Sequence, residues 1–144
     1  MIKSILCAVE GSPRSLDALR YAAKLARNLS ARLTLLHVES HPRGGVLFTA
    51  YSPEDPPDEE RWNAIASGLT GEPVEVHYAT GDAAEEIVRF ARNAHSDLIV
   101  LGTRARSKAS LAMASAVGGV LPHAPCPVTV VPPESEDATE SEAA

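Results

Sequence analysis

IKSILCAVEGSPRSLDALRYAAKLARNLSARLTLLHV, residues 2–38, reads as strand, turn, helix and strand in one pass. Ile2 to Val9 is a short, nearly continuous apolar run of strand length. Glu10-Gly11-Ser12-Pro13 interrupts it, and Ser12 followed by Pro13 supplies a helix N-cap and a first-turn residue. From Ser15 to Leu29, Leu16, Leu19, Ala22, Ala23 and Ala26 recur at spacings of three and four, the period of a helix. Arg32 to Val38 (RLTLLHV) is a second strand.

The pattern repeats downstream. Glu39 to Pro57, with two glycines and four prolines, is loop. Asp58 to Leu69 forms a helix closed by Gly71, and Val74 to Ala79 a short strand. Asp82 caps a helix reaching about Ala94, with Ala84, Ile87, Val88 and Ala91 on one face. Asp97 to Leu101 (DLIVL) is a strand, Gly102 to Lys108 a basic loop and Ala109 to His123 a helix that Pro125 and Pro127 stop. Val128 to Val131 is the last strand.

Strands alternating with helices imply a parallel sheet, because parallel neighbours need crossover connections. Right-handed crossovers then predict a single-domain, doubly wound α/β fold with a five-stranded parallel sheet, order 3-2-1-4-5, and helices on both faces. Ligands of such sheets bind beyond the carboxyl ends of the strands, where the strand order reverses. That rule selects the turn at Glu10 and the loop at Gly102.

The bulk composition fits one domain over residues 1–132 and a separate acidic tail over 133–144. The chain has 144 residues, 44% hydrophobic and only 4% aromatic, so Val, Leu, Ile and Ala must build the core. Five of its 19 acids lie beyond Pro133 with no base among them; the other 14 nearly balance 13 Lys and Arg. The tail has almost no apolar content and is expected to be disordered. The near-neutral domain carries no nucleic-acid footprint. No apolar run has the roughly 18 residues of a membrane span, and the run after Lys3 is too short for a secretory core, so a cytoplasmic location is expected. Cys7 and Cys126 have no CxxC or zinc-ligand spacing and read as buried, reduced thiols.

ILCAVEGSPRSLDALRYAAKLA resembles the opening of universal stress proteins, whose first strand usually ends in Asp-Gly-Ser. LTLLHV resembles their second strand, GDAAEEIVRFARNAHSDLIVLGTRARS their third helix and fourth strand, and LPHAPCPVTVV their last strand. The likeness runs from Ile2 to Val131 apart from Glu39 to Leu69. It implies a crevice for an adenine nucleotide such as ATP, with adenine near Val9 and Val38 at the ends of the first two strands. Ala8, Leu101 and Ala116 would line the same crevice. Ribose would meet Glu10 and Gly102, and phosphates would lie along Arg104 to Lys108 and Ser115.

Members of this family that bind ATP carry a glycine motif after the fourth strand: Gly, two residues, Gly, nine residues, then Gly-Ser or Gly-Thr. Here Gly102 is the first glycine, Ala105 replaces the second, and Ala114-Ser115 replaces Gly-Ser after an eight-residue spacer, Arg106 to Met113. Glu10 stands where the motif has Asp. Glycine lets backbone N–H groups approach a phosphate and permits φ > 0. Alanine held in a left-handed conformation costs roughly 1–2 kcal/mol, so two such changes weaken binding by about 10–100-fold. Arg104, Arg106 and Lys108 act in the other direction, placing positive charge before a helix N-terminus.

The remaining residues point to no catalytic or metal site. Ser12, Ser15 and His37 lack a GxSxG elbow and read as caps and core. Glu10 and Asp17 read as a ribose contact and a first-turn helix charge. His41, His77, His95 and His123 are scattered, without HxxxH or HExxH spacing. Trp62 and Tyr51 are expected to seal one edge of the core. A receiver domain needs an acidic pair after the first strand and an Asp after the third; Glu10 is alone, and Ala79-Thr80-Gly81 ends the third. EGSPRS also departs from the Ser-Gly-Gly-x-Asp-Ser phosphate loop.

The expected function is a stress-response binding or signalling module that takes ATP weakly or not at all. It would be a homodimer through residues 128–131, as the resemblance implies, with a further protein partner unidentified. The alternative is a true ATP-binding member with slow hydrolysis or phosphotransfer. No Walker lysine or acidic metal cluster supports that alternative.

Overall fold

The computed structural model describes residues 1–9, 15–39, 58–102 and 116–132. Its elements in chain order are β1 (Ser4–Val9), α1 (Ser15–Leu29), β2 (Arg32–Glu39), α2 (Asp58–Thr70), β3 (Glu75–Thr80), α3 (Ala83–Asn93), β4 (Leu98–Gly102) and β5 (Val128–Val131). Residues 116–120 are also helical. The strands form one sheet of order β3-β2-β1-β4-β5, parallel throughout, as the crossover argument requires. The expected acidic tail and Tyr51 lie outside the described residues.

Two apolar layers sandwich the sheet. On one face Ala18, Leu19, Ala22 and Ala26 of α1 and Trp62 and Ala66 of α2 cover Ile5, Cys7, Val9, Leu33, Leu35 and Val100. On the other, Ile87, Val88 and Ala91 of α3, with Ala116 and Val120, cover Leu6, Ala8, Leu36, Val38, Ile99 and Leu101. Alternate strand residues point to opposite faces, so one continuous apolar run serves both layers. Small side chains on α1 hold that helix close to the sheet.

The ends of the elements are set by particular hydrogen bonds. The Asp82 side chain accepts the Glu85 N–H at 3.0 Å and caps α3. Asp97 was expected to open the fourth strand; instead it precedes β4 and fastens β1 to it. One carboxylate oxygen accepts the N–H groups of Lys3 (2.9 Å) and Ser4 (3.0 Å), and the Asp97 N–H donates to Ser4 O. β1 accordingly begins at Ser4 rather than Ile2.

Close packing fixes one glycine. A Cβ on Gly119 would stand 2.6 Å from Cβ of Ala84, so this glycine lets the 116–120 segment lie against α3.

Candidate functional site

β1 is the strand where the order reverses: the chain moves outward to β2 and β3, then crosses back to β4 and β5. The carboxyl ends of β1, β2 and β4 therefore meet at the switch point. Val9 pairs with His37, Cys7 pairs with Val100, and Gly102 pairs with Val131.

Of the expected site residues, Ala8, Val38, Leu101 and Ala116 come together. They belong to one buried cluster on the α3 face, contributed by three strand ends and the helical segment. Their small and branched side chains are nearly fully buried, at 0 to 3% exposure. Val9 does not join them. Its side chain packs in the opposite layer, beneath α1 and α2, so Val9 and Val38, both expected near the adenine, face opposite sides of the sheet. The cause is the strand period of two: Ala8 and Val9 cannot face the same way.

Gly102 ends β4, and a Cβ built there would meet Cβ of Ala18 at 3.7 Å, an ordinary contact. Its φ lies outside the left-handed region, where Gly71 and Gly81 are found. The fold would thus accept an alanine at Gly102. Close approach, not φ > 0, is what this glycine offers a ligand. Glu10, Arg104, Ala105, Arg106, Lys108, Ala114 and Ser115 lie outside the described residues.

One side chain near the strand ends was read only as core. His37 is buried at 2% exposure, its ring centroid 5.2 Å from Tyr78 in an edge-on arrangement and 6.1 Å from Trp62. It faces the α2 side with Val9, and Trp62 is buried there as expected. The three rings come from separate elements, so no local sequence spacing brings them together.

Cys7 is fully buried, and burial pushes its thiol up to about 12. Cys126 was expected to be buried as well, yet it is only half-buried, because it precedes an edge strand. Desolvation and the nearby Asp97 carboxylate raise its pKa too. Both cysteines are free. Among the described residues no three His, Cys, Asp or Glu side chains gather as metal ligands. No described helix is long and apolar enough to cross a membrane.

Comparison with known proteins agrees with this geometry. The family model described as "Universal stress protein family" matches residues 1–132. The universal stress protein YxiE of Bacillus subtilis is 32% identical over 150 residues, covering 91% of this chain and 99% of its own. A universal stress protein solved in complex with cAMP superposes with a TM-score of 0.67 at 19% identity, covering 90% of this chain and 96% of that one. The Archaeoglobus fulgidus universal stress protein solved with dAMP gives 0.58 at 24% identity, covering 91% and 98%. The sheet order, the apolar cluster at its switch point and the match across nearly all of the folded sequence lead to one conclusion: the chain belongs to the universal stress protein family.

Proposed function

We propose that the chain is a stress-response binding module whose switch-point crevice accepts an adenine nucleotide, with weak affinity for ATP. The observation that carries this reading is the convergence of Ala8, Val38, Leu101 and Ala116 at the carboxyl ends of β1, β2 and β4. Two solved structures of the same fold hold adenine nucleotides, cAMP and dAMP, which supports adenine as the base. Weakness follows from the sequence: Ala105, Ala114 and the shortened spacer replace the backbone freedom that a triphosphate needs. Nucleotides with fewer phosphates depend less on that loop, so AMP is expected to lose less affinity than ATP. Isothermal titration of both nucleotides tests this, and an ATP affinity tighter than that for AMP would reverse the ranking.

The same reading makes the protein a cytoplasmic homodimer joined through β5. Val128 to Val131 form an edge strand, half-buried along its length, and such edges are commonly protected by pairing. Antiparallel pairing about a two-fold axis would be self-complementary and closed. A sedimentation mass of one chain at micromolar concentration would contradict it.

A further inference from the structure

A cavity of about 490 Å³ lies at the other end of the sheet, away from the switch point. It is enclosed by the last turn of α1, the turn into β2, the end of α2 and the approach to β3. Arg27, Ser30, Arg32, Thr70, Glu72 and Val74 are among its lining residues. That volume lies within the roughly 300–1,000 Å³ of small-molecule pockets.

Two arginines, Arg27 and Arg32, are among the residues that line it. Arg27 and Arg32 are exposed, and among the described residues neither forms an ion pair. The ends of two helices would ordinarily present free carbonyls here and repel an anion. Some of those carbonyls are engaged. Ala26 O accepts the Ala31 N–H at 2.9 Å, and Arg27 O accepts the Ser30 N–H at 3.3 Å. At the end of α2, Ser67 O accepts the Gly71 N–H at 2.8 Å, and the Thr70 hydroxyl donates to Ala66 O at 3.1 Å.

Ser30, at φ 54°, turns the chain sharply enough to bring Arg27 and Arg32 to one cavity. Glu72, exposed and likewise without an ion pair among the described residues, lines it as well. Buried Val74 and Leu33 contribute apolar surface. A guanidinium fork matches a carboxylate or phosphate, and a carboxylate beside it accepts a hydrogen bond from the same ligand.

We propose that this cavity binds a small organic oxyanion, a carboxylate or phosphate that also carries a hydroxyl or ammonium group. The full chain, titrated with citrate and separately with phosphoserine, provides the test. Amide resonances of Ser30, Ala31, Glu72 and Val74 should shift saturably, with a Kd in the millimolar range or tighter. A response to either probe supports the site, and the stronger one identifies the oxyanion. Arg27→Ala with Arg32→Ala should weaken binding at least tenfold, and Glu72→Gln should weaken phosphoserine. All three side chains are exposed, so the variants should fold. No saturable shift with either probe, or shifts unchanged in the double arginine variant, would overturn the proposal.

Discussion

Val9 and Val38 lie near the carboxyl ends of neighbouring strands and yet face opposite sides of the sheet, Val9 beneath α1 and α2 and Val38 beneath α3. Only Val38 shares a layer with Ala8, Leu101 and Ala116. Truncating either valine to alanine should cost about 1–3 kcal/mol of stability through lost burial and a residual cavity. Nucleotide affinity should separate them: Val38→Ala lowers it and Val9→Ala leaves it within twofold. Denaturant unfolding beside titration with AMP checks both halves, and equal losses of affinity would place the base elsewhere.

Gly102 and Gly119 should respond in opposite ways to alanine. At Gly102 the new methyl meets Ala18 at an ordinary 3.7 Å, so stability should hold within about 0.5 kcal/mol while nucleotide affinity falls. At Gly119 the methyl would reach 2.6 Å from Ala84, and helix 116–120 must shift. Overpacking of this kind should cost roughly 1–3 kcal/mol despite alanine's better helix propensity. Thermal unfolding of the two variants distinguishes them.

Asp97 gives the fold an acid-side dependence. The Lys3 N–H bond holds its carboxyl below the usual carboxylate range, against some desolvation, with the Ser4 N–H, the N-terminal ammonium and the Lys3 charge adding to the effect. A depressed folded-state pKa means stability that is fully present above the unfolded value, near 3.9, and lost as pH falls through the folded one. Asp97→Asn keeps an acceptor oxygen and removes the charge. Its stability should fall below wild type at pH 7 and converge with it as pH falls through the depressed folded-state pKa, as followed by urea midpoints.

Cys7 should shape the alkaline side. Its thiol stays protonated in the folded protein up to about 12, whereas the unfolded chain ionises near 8.5. Stability should therefore decline as pH rises from about 8.5 towards 12, and Cys7→Ser should flatten that slope while costing stability at neutral pH. In the native protein a thiol reagent should label half-buried Cys126 first and Cys7 only on unfolding.

The architecture could be read from the sequence because turn residues separate the segments cleanly: Glu10-Gly11-Ser12-Pro13 after β1, Gly71 after α2 and Asp82 before α3. What could not be read was facing. Leu35-Leu36 and Ile99-Val100-Leu101 are apolar on both sides, so a period of two leaves no alternation to see. Asp97 shows the same difficulty at short range. An acid before an apolar run reads as the first residue of a strand, and only the adjacency of β1 and β4 shows that it receives two N–H groups. Of the site, the apolar wall was visible as residue types at strand ends. The residues expected to meet phosphates, Arg104 to Ser115, lie outside the described residues.

On the proposed function, loss of backbone freedom rather than loss of charge would weaken ATP binding. Isothermal titration of ATP into wild type and into a variant carrying Ala105→Gly, Ala114→Gly and one residue inserted between Arg106 and Met113 decides it. Wild-type binding should be weak, and the restored variant should gain at least tenfold, about 1.4 kcal/mol. Micromolar binding by the wild type, or no gain in the variant, would contradict it.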